Sequence, residues 1–245
     1  MNDYDSYVLA GNLMSGRAES GVSEFHGTMV IACEVMKAEL EEAARGAEVQ
    51  IHYLDQGLHR TPKKMAGLIQ DKLDTYGGSA RRVVLAYGLC SKGITGVKST
   101  HQELVVPRCH DCISLFFGST NAYSEVFRLR PGTYYLTPGW VAARRDPLGV
   151  IYEDYAPEHG LETAFWVMQE ELKHYTHIAL INTGVGSLEE LRARTMENCR
   201  VLEKQYCEIE GTLEYFKKLV HGPYSEADFI TIPPGKEVTE DMFMG

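Results

Sequence analysis

The chain has 245 residues, of which 44% are hydrophobic and 24% charged, and a formal net charge of -10. This is the composition of a globule with a sizeable core. The negative balance, with no basic stripe, argues against nucleic acid or an anionic membrane surface as the main partner. The opening residues carry neither a positive n-region nor an apolar stretch, and no run approaches the ~20 apolar residues that span a bilayer, so a cytoplasmic protein is expected.

The predicted elements alternate between strand and helix. After a polar, glycine-containing lead, "TMVIAC" reads as a buried strand and "EVMKAELEEAA" as a helix. "EVQIHYLDQGLH" is a second strand running into a loop. There Thr61 and Pro62 open a helix over "KKMAGLIQDKLDTY", and "GGS" closes it. "RRVVLAYGLC" is the third strand, "ELVVPRCHDC" the fourth, "ISLFFGSTNAYSEVFRL" a helix and "GTYYLTPGW" a tyrosine-rich fifth strand ending in a turn. "AARRDPLGVIYEDYAPEHG" is charged and punctuated by proline and glycine, as a connection is. A second set follows: helix "ETAFWVMQEELKHY", strand "THIALINTG", helix "SLEELRARTMENCRVLEKQY" with a capping box from Ser187 to Glu190, helix "GTLEYFKKLVHG" and strand "DFITIPPG". The implied organisation is a polar extension over residues 1–25, a cysteine-bearing α/β half over 26–143, a connecting segment over 144–160 and a second α/β half over 161–245, packed with the first as one globular unit.

Such alternation implies an α/β fold with a doubly wound, mostly parallel sheet of the Rossmann or flavodoxin-like kind. Ligands of these sheets gather outside the carboxyl ends of the strands. Cys33, Cys90 and the pair Cys109 and Cys112 all stand at or just past such ends, on strands one, three and four. In the order 2-1-3-4-5 those strands are neighbours, only ~5 Å apart. Each cysteine taken alone is also a common core residue. Three at one edge point instead to metal ligation by Cys33, Cys90 and Cys112. Cys199 and Cys207, in a helix-like stretch, read as small buried hydrophobes.

Two histidines lie at the same edge. His59 ends the loop after strand two and His110 lies between two cysteines, and each is a candidate for fourth ligand or general acid/base. Asp55 and Asp111 are candidate orienters of their imidazoles.

The stretches "LDQGLHRTPKKM", "LAYGLCSKGITGVKS", "LVVPRCHDCISLFFGS" and "GTYYLTPGW", in this order and spacing, resemble the family called domain of unknown function 1638, over about residues 28 to 235. Members of that family are often encoded beside corrinoid-dependent methylamine methyltransferases. The resemblance therefore implies a link to one-carbon or corrinoid metabolism, with a corrinoid protein or methyltransferase as partner. It also implies recurrence of the cysteines at Cys33, Cys90 and Cys112 and of the histidines at His59 and His110, while position 109 is commonly not cysteine.

Three dispersed thiolates suit a 4Fe-4S cluster with one open iron or a catalytic zinc with one open position. With no fourth ligand evident, the cluster is the first expectation and zinc the alternative. The corresponding function is that of a metalloenzyme acting on a small molecule. Two other classes stay open. Cys90 is placed as a thiol nucleophile with His110 as base, in a hydrolase or amidotransferase, although Lys92 stands where the second close glycine of the usual elbow belongs. A non-catalytic metal or corrinoid carrier would use the same residues without a substrate pocket. "NTGVGS" before a capped helix is either a phosphate loop or an ordinary turn. Tyr134, Tyr135 and Trp140 are either a pocket wall or sheet aromatics.

Overall fold

The computed structural model describes residues 27–244, so the polar extension expected over residues 1–25 lies outside the described residues. The elements in chain order are β1 (Thr28–Cys33), α1 (Lys37–Ala43), β2 (Val49–Leu54), α2 (Pro62–Tyr76), β3 (Arg82–Ala86), β4 (Glu103–Pro107), α3 (Ile113–Phe116), α4 (Thr120–Leu129) and β5 (Thr133–Leu136). They continue as α5 (Pro138–Ala142), α6 (Pro147–Val150), α7 (Ala156–His159), α8 (Leu161–Glu171), β6 (His177–Asn182), α9 (Leu188–Val201), β7 (Gln205–Glu210), α10 (Glu214–His221) and β8 (Phe229–Ile232). Two compact units result. Among the described residues, the first comprises 27–34, Leu40–Cys112 and 216–244; the second comprises Val35–Glu39 and Ile113–Tyr215.

In the first unit five strands form a sheet in the order β2-β1-β3-β4-β8. The first four are parallel and β8 runs antiparallel to β4. Strands of a parallel sheet are covered on both faces and therefore read as unbroken apolar runs. Met29, Val30, Ile31 and Ala32 of β1 and Val83, Val84, Leu85 and Ala86 of β3 are accordingly fully buried. Helix α2 carries Met65, Ile69 and Leu73 on one stripe at four-residue spacing, and all three are buried. The sheet is the expected mostly parallel α/β arrangement, with one difference at its edge. The fifth position belongs to the antiparallel β8, because the chain leaves this unit after Cys112 and returns only at Phe216.

The second unit has its own parallel sheet, β5-β6-β7. Its middle strand, β6, buries Ile178, Ala179, Leu180 and Ile181. The strand β7 replaces the end of the helix expected to run through to Tyr206. It is an edge strand of sequence QYCEIE whose residues are half-buried or exposed, so no apolar run advertises it. Cys207 lies on β7, half-buried. The stretch 144–160 is mostly helical: α6, a π-helical turn at Ile151–Tyr155, then α7. Asp146 starts it, its buried Oδ1 accepting from Gly149 N and from Asn198 Nδ2 at 2.8 Å and meeting Arg194 at 2.9 Å. Tyr135 packs edge-on to Phe117 and Tyr123, Tyr134 to Tyr175, and Trp140 to Phe116, which makes all three aromatics part of this unit's packing. Among the described residues no helix is long and apolar enough to cross a membrane.

Candidate metal centre

The cysteine-bearing loops of the first unit are built against one another by backbone contacts. Beyond the paired residues of β3 and β4 the two chains stay bonded, Leu89 N donating to Cys109 O and Cys90 N to His110 O, both at 2.9 Å. Gly88 permits this approach, since a Cβ there would lie only 2.8–2.9 Å from backbone atoms of Asp111. The chain then turns through Cys90, Ser91 and Lys92, at φ 47°, 56° and 69°. Three successive non-glycine residues in the left-handed region cost roughly 1–3 kcal/mol each, and such strain gathers where geometry serves a site. The turn is held by Gly93 N donating to Cys90 O at 3.0 Å, by an ion pair from Lys92 to Glu240 at 2.9 Å and by Gly96 N donating to Val238 O at 2.9 Å.

Cys33, Cys90, Cys109 and Cys112 are all buried, at 7% exposure or less, and no disulfide joins them. Cys33 closes β1 beside β3. His59 rides on the short turn Gln56–Arg60, which Asp55 caps through Gly57 N at 2.6 Å. That turn brings Nε2 of His59 to 3.6 Å from Sγ of Cys33. The same imidazole is hydrogen-bonded to Cys112, and Cys112 in turn to Cys90. Three thiols from three strand ends and one imidazole thus form a continuous hydrogen-bonded set.

Burial and hydrogen bonding push the members of the set in opposite directions. Burial disfavours a charged His59, but hydrogen bonds with Cys112 and Cys33 outweigh it and raise the imidazole to about 10. Cys112 is lowered to about 5 by the hydrogen bond from Cys90, against its burial and with help from His59. Cys90 moves the opposite way, well above an ordinary thiol, because it supplies that hydrogen bond and is itself buried. Of Cys90, Cys109 and Cys112, Cys112 is therefore the sulfur that becomes a thiolate first, with His59 as its counter-ion.

Sequence reasoning placed Cys33, Cys90, Cys112 and His59 together, and the structure brings them together. His110 stays apart: its side chain is exposed and forms no hydrogen bond or ion pair among the described residues, and only its carbonyl takes part, by accepting from Cys90. Cys109 is buried beside the set, its charge felt by Cys90 and its own thiol pushed up by burial and by Cys112, but it makes no side-chain hydrogen bond within it. Asp55 orients the turn of His59 through the backbone and not through the ring. Asp111 places negative charge beside Cys109 and Cys112. The pairing of His110 with Cys90 as base and nucleophile has no counterpart in these contacts; the polarised pair is His59 with Cys112. Sequence reasoning passed over Tyr87, which is 1% exposed and has an unpartnered hydroxyl within electrostatic reach of Cys33, Cys90 and Cys112. Its only advance signal was a polar aromatic closing an apolar strand just before the glycine turn.

Among the described residues, with the side chains as they stand, no group of three or more His, Cys, Asp or Glu has the geometry to hold a metal ion.

In the second unit the "NTGVGS" loop follows β6, where Gly184 N donates to Asn182 Oδ1 at 3.0 Å and Ser187 caps α9 through Glu190 N. A groove of about 450 Å³ beside it is lined by Asn182, Thr183, Gly184, Glu208, Glu210 and Gly211. Two carboxylates in that lining, with Glu189 and Glu190 in the first turn of α9, disfavour a phosphate. The ordinary strand-to-helix turn is what the loop forms.

No curated protein and no solved structure matches the chain. The family described as Protein of unknown function (DUF1638) matches over residues 53–220, a span that takes in His59, Cys90, Cys112, strands β3 and β4 of the first sheet and the whole of the second sheet, and the chain belongs to that family.

Proposed function

We propose that the first unit carries a soft-metal centre with Cys33, Cys90 and Cys112 as thiolate donors and His59 as the fourth donor, in a metalloenzyme that acts on a small molecule in one-carbon metabolism beside a corrinoid protein. The observation that carries the reading is the 3.6 Å separation of Cys33 Sγ and His59 Nε2. Two donors on one tetrahedral zinc, with bonds of ~2.3 Å to sulfur and ~2.0–2.1 Å to nitrogen, stand about 3.6 Å apart. A 4Fe-4S cluster spreads its cysteine sulfurs around a cube, and the direct contact of Cys90 with Cys112 favours a single ion over that alternative. A donor set of three thiols and one imidazole is the set that zinc takes. The link to corrinoid chemistry rests on the genomic company of the family.

When bound, the metal supplies Lewis acidity and holds thiolates at neutral pH. His59 stands half-buried on a short turn, whereas the sulfurs are buried, so of the four donors it would be the one open to exchange with a substrate atom. Its imidazole, next to Cys112 and Cys33, would there take up or return a proton.

A second reading draws on the same contacts. A buried thiolate and imidazolium, Cys112 and His59, form the ion pair of a thiol nucleophile. It uses Cys90 and Cys33 only as hydrogen-bond partners of that pair, with no call for three thiolates. Metal analysis of protein purified without oxygen separates the cases. Stoichiometric zinc supports the centre proposed, iron with sulfide replaces it by the cluster, and metal-free protein that loses one thiol to iodoacetamide leaves the nucleophile.

A further inference from the structure

Tyr87 follows β3 directly, and its backbone N donates to Leu85 O at 2.8 Å, which bends the chain out of the strand into the Gly88 turn. The side chain is sealed from solvent and its hydroxyl has no hydrogen-bond partner. A buried, unpartnered hydroxyl costs about 1–3 kcal/mol, and each such group calls for an explanation. Its setting supplies one. The parallel register pairs Ala32 of β1 with Ala86 of β3, so Tyr87 leaves its strand alongside Cys33, and negative charge on Cys33, Cys90 or Cys112 reaches its hydroxyl. Protonated thiols are poor acceptors, whereas thiolates are good ones. Three thiolates and a neutral imidazole on one dication leave a net charge of about -1 in a dry interior, which a nearby O–H offsets.

Resting on the soft-metal reading above, we propose that Tyr87 is the outer hydrogen-bond donor of the loaded centre, its hydroxyl donating to the metal-bound thiolate of Cys33. It touches no reacting atom in this role and is a positioning residue. Its hydroxyl makes no hydrogen bond in the metal-free protein, where Cys112 is already engaged by Cys90 and His59, and would gain Cys33 as acceptor in the loaded one.

The two states therefore respond oppositely to Tyr87→Phe, which keeps the ring and removes only the oxygen. The full chain and the variant are compared with Zn2+ and with Co2+, by competitive chelation, by absorption and by thermal melting with and without metal. The expected result is an unchanged or higher Tm for the metal-free variant, one metal still bound at saturation, affinity weakened by about 10-fold, and a sulfur-to-cobalt charge-transfer band moved to longer wavelength. Wild-type affinity and an unmoved band in the variant would overturn the role of Tyr87 while leaving the metal centre standing. An equal loss of Tm with and without metal would overturn it too, by making Tyr87 a packing residue. Failure of the wild-type chain to bind either ion would remove the metal reading itself and this inference with it.

Discussion

Cys33 Sγ and His59 Nε2 stand 3.6 Å apart although 26 residues separate them in the chain. The first is fixed by β1, an interior strand of a five-stranded sheet, the second by a five-residue turn outside it. A rigid donor and a donor on a short turn behave differently when removed. His59→Ala is expected to keep about one zinc at saturation with weaker affinity, and added imidazole is expected to restore the lost affinity by occupying the opened position. Cobalt spectra recorded with and without imidazole check this. Wild-type affinity in the variant would show that His59 is no donor.

The three sulfurs carry a stronger expectation. Cys33→Ser, Cys90→Ser and Cys112→Ser should each lose most of the metal, because a neutral hydroxyl replaces a thiolate in a four-donor set. Cys199→Ser is expected to keep it. That sulfur is buried in the core of the second unit, 3.8 Å from the carbonyl oxygen of Ile178, and the change costs about 1 kcal/mol of stability there. Cys207→Ser, on a half-buried edge strand, should alter neither stability nor metal content. Full metal in purified Cys90→Ser protein would end the ligand assignment.

The parts of this architecture legible in the sequence are those written as unbroken apolar runs. β1, β3, β4 and β6 are buried on both sides and say so, and the cysteines at three of their ends follow from the parallel topology. β7 stayed hidden because an edge strand of alternating polar residues has no signature that a helix end lacks. The replacement of β5 by β8 at the edge of the first sheet was illegible for another reason. Strand order past the fourth strand depends on where a chain segment of about a hundred residues returns, and no local pattern encodes that. His110 and His59 looked equivalent at the edge of the sheet. Only the direction of the turn decides between them: the carbonyl of His110 is bonded to Cys90 while its ring faces water.

A pH dependence of stability follows from the second unit. Glu39 is fully buried, one carboxyl oxygen accepting from Thr183 Oγ1 at 2.9 Å and the other unpartnered, and burial raises its pKa from 4.5 to about 7 despite hydrogen bonds that lower it. Between those values the folded protein holds a proton that the unfolded chain has released. Stability therefore falls as pH rises from about 4.5 to about 7 and is flat above that, by about 3 kcal/mol in all. Glu39→Gln keeps an acceptor for Thr183 and cannot ionise, so its denaturant midpoint should lose this slope and exceed that of the wild type at pH 8. Parallel pH profiles of the two proteins would refute the assignment.

The last prediction concerns the contact that joins the cysteine loops. Gly88 sits where a Cβ would meet the N, Cα and C of Asp111 at 2.8–2.9 Å, and backbone atoms cannot move aside as a side-chain tip does. Gly88→Ala must therefore spread the two loops and break the bonds from Leu89 to Cys109 and from Cys90 to His110. The expected cost is about 1–3 kcal/mol, the usual cost of overpacking. Because the same bonds fix Cys90 relative to Cys112, metal affinity should fall together with Tm. Gly67→Ala gives the contrast. It lies exposed on α2 with nothing within 4 Å of a new Cβ, so the better helix former should stabilise the protein by up to about 1 kcal/mol and leave the metal untouched. Melting curves and metal titrations of both variants decide the point: loss of stability in Gly88→Ala with undiminished metal affinity would mean that the loop contact supports the fold but does not set the spacing of the sulfurs.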